Sequence, residues 1–184
     1  MIITVIPAKG DSRRLSNKNM ELLYGKPMLY YSLKIARECS LIDKVYVSTD
    51  SEEISEYAKS EGAEVIRRGP ELGGEAPVVQ VYRHALEVLN DRSIEFVVAL
   101  QPDHPDRKIK LDDAINYALR KNYEDILTVD GKGFVNGSVR IMKAEALLNN
   151  RVGAVGTLMD DCTNVHHLDD LKVAETNLRQ RKNQ

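Results

Sequence analysis

Short runs of β-branched and other apolar residues alternate along this chain with amphipathic stretches of helical spacing. That alternation limits the fold more than any other feature of the sequence. Runs at 2–6, 44–50, 62–66, 96–100 and 125–129 are short and nearly continuous, as strands buried on both faces are. Between them lie helical patterns: Leu29, Leu33 and Ala36, Ile54, Tyr57 and Ala58, the stripe Val78 to Leu89, then Leu111, Ile115, Ala118 and Leu119. Strand–helix repetition of this kind predicts a Rossmann-like, three-layer α/β/α fold around a mostly parallel sheet. At 184 residues it is one domain, 1–184, large enough to bury a core.

In such a sheet ligands bind just past the carboxyl ends of the strands. The loop after the first strand is therefore the first place to look for chemistry. Pro7 ends that strand, and Ala8, Lys9, Gly10, Ser12, Arg13, Arg14 and Lys18 follow, with Asp11 the single acid among them. Glycine lets backbone approach a ligand closely, and clustered cations suit phosphate. The rest of the chain carries no comparable field, because its net charge is −2. That balance argues against nucleic acid as a partner. No apolar run reaches the ~20 residues of a membrane span, and the start lacks a signal-peptide pattern. Cys39 and Cys162 have no metal-ligand spacing and read as free, largely buried thiols, which suits a reducing cytoplasm. There is no P-loop, no G-x-G-x-x-G after a strand, no nucleophile elbow and no zinc cluster.

Other strand ends offer fewer candidates. Ser51 is placed to cap the second helix, and the simplest role for Asp50 is to assist it. Arg67 to Pro77 is an irregular Gly/Pro segment with two arginines, the kind of loop that carries function. Gln101-Pro102-Asp103-His104-Pro105-Asp106-Arg107 follows the most regular strand. Asp103 has two readings: a hard-oxygen ligand for Mg²⁺ on a triphosphate, or a turn residue capping the helix that begins near Lys110. His104 has no identifiable partner, and His84 reads as a packed helix residue. A further strand spans 134–142, joined to 125–129 by a hairpin-like link at Gly131 and Gly133. His166 and His167 are expected on extended chain, pointing to opposite faces. Residues 178–184 read as a frayed tail.

Several separated segments, in register over nearly the whole chain, resemble a known family. Ile6-Pro7-Ala8-Lys9-Gly10-Asp11-Ser12-Arg13-Arg14-Leu15, then Lys18-Asn19, is similar to the signature loop of the cytidylyltransferases that activate acidic sugars. Lys9, Asp11 and Ser16 stand where that pattern has Arg, Gly and Pro. Gly25-Lys26-Pro27, Val47-Ser48-Thr49-Asp50, the 67–77 segment, Gln101-Pro102 with Pro105 and Arg107, and Asn136-Gly137 match further elements. The resemblance implies a nucleotide-diphospho-sugar transferase (GT-A-like) fold and an enzyme that transfers CMP from CTP to a hydroxyl of a sialic acid- or KDO-like sugar. It assigns Arg14 and Lys18 to catalysis, beside the leaving group. Pro7, Ala8, Lys9, Gly10, Ser12 and Arg13 would bind the nucleotide, as would Arg68, Glu71, Gly74 and Ala76 from the segment that reads the base. Gln101 would face the acceptor, and Asp103, with His166 as a further candidate, would hold Mg²⁺.

The chain also departs from the pattern. Asn164 and His166 stand where the family carries an acidic pair. The 67–77 segment is one residue shorter, and no insertion for a dimerisation arm separates the strands around Gly131. Two other readings follow from these departures: a non-catalytic nucleotide-binding homologue, or a nucleotidyltransferase of the same fold with a different acceptor.

Overall fold

The computed structural model describes residues 1–10, 17–73 and 76–182. A seven-stranded sheet forms its centre. In chain order the elements are β1 (Ile2–Pro7), the two-residue strands β2 (Leu22–Leu23) and β3 (Lys26–Pro27), α1 (Met28–Glu38), β4 (Lys44–Thr49) and α2 (Glu52–Ser60). Next come β5 (Glu64–Arg67), α3 (Val78–Leu89), β6 (Phe96–Leu100), α4 (Leu111–Lys121), β7 (Asp125–Val129) and β8 (Val135–Lys143). The chain finishes with α5 (Ala144–Leu148), β9 (Val155–Met159) and α6 (Leu168–Lys182).

The strand order is β5-β4-β1-β6-β8-β7-β9. Strands β1, β4, β5 and β6 are parallel, β8 runs antiparallel to both its neighbours, and β9 pairs parallel with β7. The three-layer, mostly parallel α/β/α arrangement is the expected one. One sheet face packs Ile6, Val47, Val98, Ile126 and Ile141 under α1, α2 and α4. The other packs Val5, Tyr46, Val97 and Met142 under α3 and α5. A third cluster seats α6, through Leu171 and Ala174, against Leu23, Met28, Tyr31 and Val165.

Local chemistry accounts for most boundaries. Ser51 caps α2 by accepting from the Ile54 N–H at 3.4 Å. Asn90 and Asn122 close α3 and α4 in the left-handed conformation that amides tolerate. The β7–β8 link is a true hairpin in which Asp130 Oδ1 accepts from the N–H groups of Lys132 and Phe134. Gly133, at φ +86°, makes its tight turn.

Three parts of the fold go beyond the sequence reading or correct it. Residues 22–27 form a small hairpin, its turn built on positive φ at Tyr24 and Gly25. Helix α5 and strand β9 had no periodic signal, because α5 spans Ala144–Leu148 alone and β9 is an edge strand with an exposed side. The last residues are not a frayed tail through Lys182. Arg181 donates to the carbonyls of Asp106 and Arg107, and Asn177 Nδ2 donates to Asp106 Oδ2 at 2.6 Å, so tertiary contacts hold α6 together.

Candidate active site

The carboxyl ends of β1, β4, β5 and β6 converge on one edge of the sheet, where the topology predicts a ligand. Pro7 is the last residue of β1, and Ala8, fully buried, donates its N–H to the Ser48 carbonyl at 2.9 Å. This bond turns the chain across the end of β4. The Gly10 N–H then donates to Asp50 Oδ1 at 2.8 Å. A Cβ at Gly10 would stand 2.8 Å from the Ser51 Cβ, so the close approach demands glycine. Asp50 therefore anchors the loop after β1, and capping α2 falls to Ser51 alone. Asn19, almost fully buried, clamps the other side of the loop by donating to the Lys9 carbonyl at 2.8 Å.

Lys18 reaches across the sheet edge. Its Nζ donates to Asp103 Oδ2 at 3.0 Å and to the Val165 carbonyl at 3.1 Å. Val165 returns its N–H to the Asp103 carbonyl at 2.8 Å, which brings the segment before α6 into the site. Asp103 does not cap α4, whose first turn has no side-chain cap. Its Oδ1 lies 3.0 Å from Nδ1 of the buried His104, though not aligned as a hydrogen bond. Burial pushes the Asp103 carboxyl up, but the adjacent His104 ring and Lys18 ammonium outweigh it and hold the group well below the usual carboxylate range. His104 thus has a neighbour that the sequence does not reveal.

Among the described residues, several buried polar atoms at this edge make no aligned hydrogen bond: Asp103 Oδ1, both ring nitrogens of His104, Asn164 Oδ1 and Arg68 Nε. Unsatisfied buried groups are costly, so these atoms make the strand ends the candidate place for a polar ligand. Arg68 follows β5, is 9% exposed and donates its N–H to the Thr49 carbonyl at 3.2 Å. Burial lowers its pKa while Asp50 opposes the shift. Glu71 lies exposed in the turn at Pro70–Leu72, and Ala76 closes that loop through an N–H bond to the Gly73 carbonyl at 3.1 Å.

Gln101 sits at the end of β6 with its amide over β8. A Cβ at Gly137 would stand 2.5 Å from Gln101 Nε2, and Gly137 itself has φ +75°. Asn136-Gly137 is thus the notch into which Gln101 fits. Lys26 is exposed, with Nζ 5.2 Å from the centre of the Tyr30 ring. His166 and His167 occupy a bend rather than extended chain, their ring centres 6.5 Å apart. Both donate N–H groups to Asp170 Oδ2, at 2.8 Å each, and so begin α6. Ser12, Arg13, Arg14 and Gly74 lie outside the described residues.

Sequence reasoning missed the scaffold beneath the site. Arg107, 6% exposed, donates from Nε to the Ser138 carbonyl at 2.8 Å and from Nη1 to Ser32 Oγ at 3.1 Å. It also bonds the carbonyls of Gln101 and His104, wrapping the 101–107 loop around one guanidinium. Asp106, fully buried, accepts from the Thr163 N–H and hydroxyl at 2.8 Å each. Asp160 accepts from the Lys108 N–H at 2.8 Å and from Ser138 Oγ at 2.5 Å. Its partners lie as far as 75 positions apart in the chain, so no local pattern in the sequence signals the network.

A metal ion finds a partial donor set here. Among the described residues no group of three or more His, Cys, Asp or Glu side chains is arranged to hold one unaided. Asp103 Oδ1, which faces His104 Nδ1 without an aligned hydrogen bond, and Asn164 Oδ1, without a hydrogen bond among the described residues, are nonetheless oxygens on segments joined by the Val165–Asp103 bond. Mg²⁺ needs only one or two carboxylates when substrate phosphates and water complete its shell, so the residues fit a cation delivered with a polyphosphate.

Comparison with known proteins bears on the family and the fold. A family model described as cytidylyltransferase matches residues 3–180. The chain is 38% identical over 107 residues to an N-acylneuraminate cytidylyltransferase of Escherichia coli, covering 58% of this chain and 25% of that protein. It is 33% identical over 141 residues to the CMP-N,N'-diacetyllegionaminic acid synthase of Legionella pneumophila, covering 74% and 57%. The chain thus spans about a quarter of the E. coli relative's length and somewhat over half of the Legionella protein. A CMP:2-keto-3-deoxy-manno-octonic acid synthetase solved with CTP superposes with a TM-score of 0.78 at 12% identity, over 98% of this chain and 99% of that one. At that identity the likeness establishes the fold.

Proposed function

Because this chain belongs to the cytidylyltransferase family, we propose that it transfers CMP from CTP to a hydroxyl of an acidic sugar and releases pyrophosphate. One observation carries the reading: Lys18, on the loop after β1, meets Asp103, on the loop after β6, at the mouth of the parallel strands. A cation and a carboxylate held together there are the two charges that nucleotidyl transfer needs, one for the leaving phosphates and one for a metal. The unpartnered Arg68 Nε and Asn164 Oδ1 at the same edge support a polar ligand.

The chemistry is a single displacement. The acceptor oxygen attacks the α-phosphorus of CTP in line, a new O–P bond forms, the bond to the β-phosphate bridge breaks, and the acceptor's proton leaves to water. The protein contributes position and charge. Lys18 and Arg14 neutralise the departing pyrophosphate, while Lys9, Ser12 and Arg13 hold the triphosphate. Pro7, Ala8 and Gly10 shape the backbone of that loop; the Gly10 N–H is committed to Asp50 and does not serve the phosphates. Arg68 faces the nucleoside with Glu71, Gly74 and Ala76, and Gln101 in its Gly137 notch faces the acceptor. Asp103 would hold Mg²⁺, which would supply charge neutralisation for the phosphates when bound. Asn164 offers it a neutral oxygen, and the His166 imidazole is a poorer match to so hard a cation. The short link 130–134 between β7 and β8 supports the reading that no dimerisation arm is inserted there. The two unbridged cysteines suit the cytoplasm.

Calorimetry with CTP, UTP, ATP and GTP, each with and without Mg²⁺, tests the nucleotide half of this reading. Pyrophosphate release with a panel of acidic sugars tests the other half. Selective, Mg²⁺-strengthened CTP binding followed by sugar-dependent pyrophosphate is the expected result. Equal binding of all four nucleotides, or no pyrophosphate with any sugar, overturns it.

A further inference from the structure

Away from the strand-end site lies a cleft of about 100 Å³ between α3, the end of β8, α5 and the segment that follows it. Four cations line it, Arg83, Arg140, Lys143 and Arg151, with two acids, Glu124 and Asp125. Both acids are fully engaged. Arg140 donates to the two Asp125 oxygens at 2.9 and 2.5 Å, and Arg151 to the two Glu124 oxygens at 2.7 Å each.

That leaves two positive charges without a strong counter-ion. Lys143 approaches Glu124 only to 3.9 Å, on an oxygen Arg151 already holds. Arg83 bonds neutral oxygens alone, the Leu147 carbonyl at 3.2 Å and Asn150 Oδ1 at 2.8 Å. Those two bonds fix its guanidinium in place without neutralising it. Val79, Met142 and Leu147 give the cleft apolar walls, which strengthen electrostatic attraction to whatever enters. In a chain of net charge −2, a local surplus of two positive charges in a concave site is selective rather than general.

We propose that this cleft binds a small tetrahedral oxyanion, a phosphate group, through Arg83 and Lys143. Arg83 Nη1, which neither the Leu147 nor the Asn150 bond uses, can donate to a phosphate oxygen, and the ammonium suits another as a point charge. A cleft of about 100 Å³ is well below the ~300 Å³ at which pockets for larger organic ligands begin, so it takes the phosphate and not a nucleoside. The phosphate arrives either free or as the ester of a small sugar. The inference does not depend on the function proposed above, because none of its residues belongs to the strand-end site.

Calorimetric titration of the full chain with inorganic phosphate at low ionic strength tests it. The variants are Arg83→Gln, Lys143→Gln and, as a marker for phosphate held by the nucleotide loop, Lys18→Ala. Arg83→Gln and Lys143→Gln should each weaken one binding event by about tenfold or more, and Lys18→Ala should retain that event. Isotherms of both cleft variants that superimpose on the wild type overturn the proposal, as does an event lost only in Lys18→Ala. Repeating the titration with glucose 6-phosphate separates the sources. A signal sensitive to Arg83→Gln assigns an ester, and silence assigns the free anion. Since the two cleft side chains are partly exposed, unchanged circular dichroism in both variants keeps loss of fold apart from loss of binding.

Discussion

Two substitutions test the site at the scale of single residues. Lys18→Ala removes the cation paired with Asp103 and the donor to Val165. Under the proposed reaction, turnover measured by pyrophosphate release should fall by about 10²-fold or more, the range for a lost electrostatic contact to a developing charge. Urea unfolding should show a smaller cost, about 1–3 kcal/mol, from a largely buried carboxylate left without its ammonium. A variant with unchanged turnover would remove Lys18 from the mechanism. Gly137→Ala asks a different question. The new methyl would meet Gln101 Nε2 at 2.5 Å on a backbone at φ +75°, so the amide must move. The Michaelis constant for the acceptor sugar should rise while CTP affinity, read by calorimetry, stays within about twofold.

Elements are tied together here by buried acids rather than by apolar contact alone. Asp160, 1% exposed, follows β9 and accepts from the start of the α4 approach and from Ser138 on β8. Asp160→Ala orphans those donors, and the midpoint of urea unfolding should fall with a cost of about 2–4 kcal/mol. Ser51→Ala serves as a calibrated contrast: a lost N-cap on α2 should cost about 1 kcal/mol and leave the β1 loop in place. If Asp160→Ala cost no more than Ser51→Ala, the network under the 101–107 loop would be ornamental. These elements also show what could be read in advance. Strands β1, β4 and β6 and helices α1 to α4 were legible because each repeats its period long enough to show. Helix α5, strand β9 and the ordered end of α6 were not, since their partners lie elsewhere in the chain. The Asp106 bond to Asn177 has no trace in local sequence.

At the scale of the whole molecule, burial should govern the two thiols. Burial pushes Cys39 up to about 11 and Cys162 up to about 12. Near pH 8 a disulfide-exchange reagent should label the native chain about a hundredfold more slowly than the unfolded one, because the thiolate is the reacting form. The same shifts give a sign for stability. The unfolded thiols ionise first, from their ordinary value near 8.5, so this contribution is complete below that pH and is lost as pH climbs toward 11–12. Thermal melting should therefore fall off on the alkaline side, and a Cys39→Ala, Cys162→Ala double variant should flatten that decline. An equally steep decline in the double variant would place its origin elsewhere. No helix among the described residues is long and apolar enough to cross a membrane.

By itself the sequence determined the layered fold, the strand end where a ligand belongs, and the loop of cations beside it. These depend on periodicity and on residue type within short windows, and both survive without a partner. The tertiary structure alone decided that Asp50 anchors Gly10, that Lys18 meets Asp103, and that Gly137 makes room for Gln101. Each pairs residues separated by 36 or more positions in the chain. The first two come from the crossovers of parallel strands, β1 with β4 and β1 with β6, and the third from antiparallel β6 and β8, which α4 and β7 separate in sequence. The charge surplus around Arg83 belongs with them, since it exists only where α3, β8 and the segment after α5 come together.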